Sequence, residues 1–293
     1  MVYQQLEYQR LLQKRSLEIL IAIDAFCKNN DIRYFLIGGS LLGAVRHKGF
    51  IPWDDDIDVG MLRKDYLKFI ELWNNKNEKF DLLVANDHND YPYPLAKVSD
   101  RNSRIEEWIT DKSDKYHLGI YVDIFPFDFV DDNEKDRKKR LQKIRFWNVL
   151  QWHSKFANVK NPKGTSKVKN GILLIEKFAI YLVQKTLGRK KVINGVYNAV
   201  PKVATEKVGN YVSRYGLVRE TYPVEFAKNL VDQNFEKSKF PIFSEFDKAL
   251  VIQYGSDYMT PPEDIMANQH HGFISLEIDG KVYIKDGKIL GEN

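Results

Sequence analysis

Thiols are almost absent from this sequence: the single cysteine, Cys27, sits in the apolar run LEILIAIDAFC. One thiol excludes an internal disulfide and any zinc centre built on thiolates, and a reducing compartment fits best. Within that apolar run it reads as a buried, inert thiol. No run of 18 apolar residues occurs, which excludes a spanning helix. The N-terminus MVYQQLEYQRLLQKR is polar and helical in character, so no signal peptide is expected. Internal repeats and low-complexity tracts are lacking as well.

The 293 residues suffice for one large domain, or for a core carrying a smaller lobe. Aromatics make up 13% of the chain, enough to fill a core and leave rings over for a pocket wall. Charge is unevenly spread. The whole chain carries a net charge of +5, yet positions 135 to 191 hold 17 Lys and Arg against only Asp136 and Glu176. Such a region suits a polyanion or an anionic lipid surface, and a solvated basic lobe is the plainer alternative.

Apolar spacing predicts a helix over 5–29, then a short strand over 33–37 that Gly38 and Gly39 stop in a sharp turn. Ser40 is placed to cap a helix starting at Leu41. Strand, glycine turn and helix N-terminus in this order make an anion cradle, because backbone N–H groups converge where no side chain intrudes. After a loop over 47–54, Asp56-Ile57-Asp58-Val59-Gly60 alternates with period two. On a strand this puts Asp56 and Asp58 on one face and Ile57 and Val59 in the core.

A helix over 63–73 and a strand over 80–85 follow, and Leu95 to Val98 can pair with the sheet. The segment 119–125, ended by Pro126, reads as a strand with Tyr121, Asp123 and Phe125 on one face. Asp123 there is costly unless a metal or a donor compensates it. From 132 to about 207 the pattern is helical, and its apolar stretch 172–183 suits either a buried helix or an interfacial one. Short segments close the chain: 240–243, a helix over 247–254 and a strand over 281–284. The simplest layout is a mixed α/β core with a largely helical basic insertion or second lobe. The expected divisions are a catalytic core over 1–130, a basic helical lobe over 131–210, and segments 211–293 that complete the catalytic domain.

Asp54, Asp55, Asp56 and Asp58 place four carboxylates within five positions. Mg²⁺, or Mn²⁺ in its stead, takes hard oxygen ligands of this kind together with substrate phosphates. Asp56, Asp58 and Asp123 are therefore the candidate metal ligands and catalytic residues, with Asp123 also able to accept a proton from an attacking hydroxyl. Gly38, Gly39 and Ser40 would hold donor phosphate oxygens. Arg46 and Lys97 are candidate phosphate contacts, and His47 is either a further contact or a packing residue. His270 and His271, adjacent and without thiol partners, are poor zinc ligands and fit better as late-chain pocket residues.

The stretch FLIGGSLLGAVRHKGFIPWDDDIDVGMLRKDY, residues 35–66, resembles the signature of the LicD family of phosphocholine transferases, and IYVDIFPFD, residues 120–128, resembles that family's second segment. The resemblance implies a nucleotidyltransferase-like fold, with the glycine element at Gly38, Gly39 and Ser40, the metal pair at Asp56 and Asp58, and the later carboxylate at Asp123. It also implies similarity to the fukutin group, whose animal members handle ribitol phosphate. The activity it implies is a metal-dependent phosphotransferase for substituted phosphates, taking phosphocholine from CDP-choline or a related CDP-linked donor to a sugar of lipopolysaccharide or teichoic acid and releasing CMP.

A lipid-linked glycan acceptor would place the enzyme in the cytoplasm, peripheral at the inner face of the membrane. A quaternary ammonium sits well on aromatic faces, and Trp53, Trp108, Tyr116, Tyr121 and Phe125 are near the motif segments. Two other readings stay open from the residues alone: nucleotidyl transfer to a sugar or small molecule, and a noncatalytic glycan- or lipid-binding protein. Without a reader module, nucleic acid is not an expected partner.

Overall fold

A computed structural model describes residues 7–73, 77–86, 88–107, 114–152, 167–262 and 273–290, with residues 167–170 described by backbone only. Trp108, His270 and His271 fall outside this set. In chain order the first half runs α1 Glu7–Asn29, β1 Phe35–Leu36, α2 Gly38–Arg46, β2 Asp58–Leu62, α3 Arg63–Trp73, β3 Phe80–Leu83, β4 Ala96–Asp100, β5 Ser103–Glu106 and β6 Tyr121–Phe129. Three helices follow: α4 Glu134–Trp152, α5 Lys167–Leu187 and α6 Arg189–Ala199. The chain then returns through β7 Lys207–Gly209, a 3-10 turn Leu217–Glu220, β8 Thr221–Pro223, α7 Val224–Lys228, β9 Leu230–Phe235 and β10 Ser238–Phe243. It closes with α8 Phe246–Tyr254, β11 Ser275–Ile278, β12 Lys281–Lys285 and β13 Lys288–Ile289.

The central sheet has the order β1-β2-β6-β4-β3, with β7 and β8 added at the far end of β6. The β2–β6 pair is parallel and the remaining pairs are antiparallel, so the fold is a mixed α/β one. Helix α1 packs across β4 and β6. It buries Leu12, Ile19, Leu20, Ile23 and Cys27 along one stripe, and each fully buried aliphatic side chain contributes about 1.5–3 kcal/mol. The helix stops where Asn30 Nδ2 donates to the Phe26 carbonyl and Asp31 takes a left-handed φ of +50°. Burial raises the Cys27 thiol far above its ordinary value, in keeping with an inert side chain.

Two expectations need correction here. Pro126 does not end its strand: β6 continues to Phe129, with Pro126 opposite Met61. The β4 ladder has already stopped at Ala96 opposite Ile124, and β7 begins only at Asp128, so the missing N–H breaks neither ladder. The second concerns Asp56, which lies in the approach to β2 and not within it, since the strand begins at Asp58. At the end of β6, Asp128 is buried and takes a two-pronged ion pair from Arg63 on α3, with Nε–Oδ1 at 2.8 Å and Nη2–Oδ2 at 2.6 Å.

Candidate active site

Strand register builds the site. In the parallel β2–β6 ladder Asp58 pairs with Asp123, and in the antiparallel β6–β4 ladder Asp123 pairs with Lys97. Paired residues on neighbouring strands project to the same face, so one row across the sheet carries two carboxylates and an ammonium. Lys97 Nζ donates to Asp123 Oδ1 at 2.5 Å and stands 3.4 Å from the centroid of the Tyr121 ring. It is buried, its ammonium is engaged by Asp123, and it is not among the residues that line the cavity above.

That cavity measures about 560 Å³ and is lined by Gly38, Gly39, Asp54, Asp56, Asp58 and Asp123 among others. One carboxylate oxygen from each of Asp54, Asp55 and Asp56 lies within 4.8 Å of the other two. The loop bearing them is held by Gln13 of α1, whose Nε2 donates to the Asp54 carbonyl at 2.7 Å. Burial, then the nearby Asp56, Asp123 and Asp54 carboxylates, hold the Asp58 carboxyl well above the usual carboxylate range. A set of hard anionic oxygens crowded this closely has the donor chemistry that Mg²⁺ and Mn²⁺ take.

The glycines make room for these acids. Helix α2 begins at Gly38, at φ +57°, and a Cβ on Gly39 would stand 2.5 Å from Asp54 Oδ2. Any side chain at 39 would push the Asp54 carboxylate off the positive end of α2. Ser40 is not the cap of this helix. It lies in the first turn, and its hydroxyl accepts the backbone N–H of Asp58 at 2.9 Å, fixing the start of β2. Arg46 lines the cavity, though its Nη1 donates to the Tyr258 carbonyl at 2.8 Å and its Nε to His47 Nε2 at 2.9 Å. His47 is not a lining residue. It packs edge-on against Trp53, and burial together with Arg46 lowers its pKa, favouring the neutral acceptor form.

Of the expected aromatics, Trp53 and Phe125 line the cavity. Tyr121 and Tyr116 do not: the Tyr121 hydroxyl donates to Glu107 Oε1 at 2.8 Å, and Tyr116 packs against Tyr91. The C-terminal third supplies a wall absent from the site expected of the sequence, including Asn210, Arg214, Tyr215, Glu220, Gln253 and Tyr254. Glu220 is buried and accepts from Asn210 Nδ2 at 2.7 Å, and burial raises its pKa. The order of polar and aromatic residues in NYVSRYG, 210–216, is the one local signal that could have marked it.

Similarity to known proteins converges on this region. The family model LicD/FKTN/FKRP, nucleotidyltransferase domain, matches residues 31–158. The chain is 31% identical over 264 residues to the lipopolysaccharide cholinephosphotransferase LicD of Haemophilus influenzae, covering 87% of this chain and 92% of that protein. An uncharacterised protein of Rickettsia typhi is 28% identical over 148 residues, 50% of this chain and 44% of its own length. Human ribitol 5-phosphate transferase FKRP is 59% identical over 34 residues, 12% of this chain and 7% of its own length.

Proposed function

The chain belongs to the LicD family and is a phosphotransferase, and we propose that it moves phosphocholine, or a related substituted phosphate, from a CDP-linked donor to a sugar hydroxyl of a cell-surface glycan. The similar Haemophilus protein is named for lipopolysaccharide as its acceptor, which supports a lipopolysaccharide-like glycan or a teichoic acid here. The observation that carries the reading is the register Asp58 opposite Asp123, beside Asp56, at the floor of a cavity that also receives the N-terminus of α2.

Asp56, Asp58 and Asp123 would hold Mg²⁺ or Mn²⁺. Such an ion would supply charge neutralisation for the diphosphate and lower the pKa of the attacking hydroxyl. Gly38 and Gly39 would offer backbone N–H groups to the donor phosphates, and Arg46 and the exposed Arg214 would bring positive charge toward them. The sugar oxygen attacks the phosphorus that bears choline, a P–O bond forms, and the P–O bond to CMP breaks. The hydroxyl proton passes to Asp123, whose Oδ1 is held by Lys97. Trp53, Phe125, Tyr215 and Tyr254 provide ring faces for a quaternary ammonium.

Mass spectrometry of products from a panel of cytidine diphosphate donors tests the reading. Acceptor gaining phosphocholine, with CMP released only in the presence of Mg²⁺ or Mn²⁺, is the expected outcome. Acceptor gaining a nucleotide would reassign the enzyme to nucleotidyl transfer. Metal-dependent donor binding without turnover on any glycan would leave a binding protein.

A further inference from the structure

Helix α5 turns an apolar face to solvent. Ile172 is 61% and Ile175 73% exposed, and Leu174, Leu182 and Val183 are exposed beside them. Ile175 and Leu182 lie two turns apart on one outward line, with Ile172 next to it and Leu174 and Val183 at the two edges of the exposed side. The opposite side, with buried Gln184 and half-buried Leu173, Ile180 and Leu187, packs toward α4 and α6. An apolar face normally turns inward; here the helix is inverted relative to its lobe.

Charge identifies what such a face meets. The same lobe exposes Lys138, Lys139, Lys143 and Arg145 on α4 and Lys190 and Lys191 on α6. Between positions 135 and 191 only Asp136 and Glu176 offset 17 Lys and Arg. A second copy of the chain would cover the apolar face but bring two such lobes together, at a steep electrostatic cost. A soluble anionic polymer would answer the charge and leave the isoleucines in water. An anionic bilayer answers both. No described helix is long and apolar enough to cross a membrane, so the face would lie along one.

We propose that the three-helix lobe docks on an anionic lipid surface, with α5 lying in the headgroup plane and Ile172, Ile175 and Leu182 buried among the upper acyl chains. The apolar stretch from 172 to 183 is about 17 Å long, and basic residues hold it to the anionic headgroups. This surface stands on the lobe alone and does not depend on the transfer chemistry.

Flotation of the full chain with phosphatidylcholine vesicles, with and without phosphatidylglycerol, tests it. Binding is expected only with the anionic lipid. It should weaken at least ~10-fold in I175D/L182D, and in K143E/R145E as well, with salt eroding what remains. Circular dichroism spectra and melting temperatures matching the parent keep those losses attributable to the surface. In I175W, the indole emission should shift to the blue on adding anionic vesicles, a readout of insertion that introduces no charge. Failure of the parent to float, or unchanged flotation of I175D/L182D, overturns the proposal. So does a parent dimer in sedimentation that I175D/L182D dissociates without any vesicle binding, or binding to dextran sulfate that replaces lipid binding altogether.

Discussion

Asp58→Asn is expected to cut single-turnover transfer by at least ~100-fold while making the metal-free protein more stable. The loss follows from position: Asp58 is the carboxylate that strand register sets beside Asp123, with Asp56 two positions before it in the chain. Asn keeps the size and removes the charge a divalent cation needs. Asp56→Asn and Asp123→Asn should fall in the same range, and Asp123→Asn can retain donor affinity if its main part is to receive the proton.

The gain in stability has the opposite origin. Burial and four neighbouring carboxylates raise the folded-state pKa of Asp58 above its unfolded value, so the charged form costs stability at neutral pH. That cost is absent below the unfolded pKa and grows as pH rises through the folded one. Without metal, Asp58→Asn should therefore melt about 2–4 °C above the parent at neutral pH, roughly what ~1 kcal/mol does in a chain of this size. The difference should close as pH falls, and Mg²⁺ should raise the melting temperature of the parent only. Near-normal transfer by a folded Asp56→Asn or Asp58→Asn variant would end the case for a metal site built on these carboxylates.

Lys97→Met is expected to be among the most destabilising single changes in the core. Its ammonium is buried, bonded to Asp123 Oδ1 and seated over Tyr121. Removing one member of a buried pair leaves the other charge in low dielectric, which costs ~3–5 kcal/mol, or about 6–20 °C of melting temperature here. The double variant Lys97→Met/Asp123→Asn should recover much of that loss, because the isolated charge is gone. A double-mutant cycle by denaturant unfolding measures the coupling. An additive cycle, with Lys97→Met as stable as the parent, would remove Lys97 from the row that organises the site.

Elements with strong local patterns were legible in the sequence. The α1 stripe, the helix over 63–73 and the acidic stretch before Val59 all rest on periodicity or on residue type within a few positions. What depended on partners distant in sequence was not. The ion pair of Lys97 with Asp123 is one such case, since Ala96 and Val98 beside it say nothing of the register of β4 against β6 that brings the two together. Ser40 looked like a helix cap, yet its hydroxyl serves a backbone N–H 18 positions on. Asn210, Glu220 and Gln253 reach the cavity because β7, β8 and α8 return to the core after the three helices, a long-range event whose one local trace is the order of NYVSRYG, 210–216. The exposure of α5 could not be read either, since its apolar run fits a buried helix as well as an interfacial one until its neighbours are known.

Electron spin echo spectroscopy of Mn²⁺ bound in the presence of CDP-choline tests most directly that these carboxylates and the donor meet at one metal. The parent should show Mn²⁺ coupled to donor phosphorus, and the coupling should vanish in Asp56→Asn and Asp58→Asn. Mn²⁺ without phosphorus coupling in the parent, or coupling that survives both substitutions, would contradict a metal site built on Asp56 and Asp58.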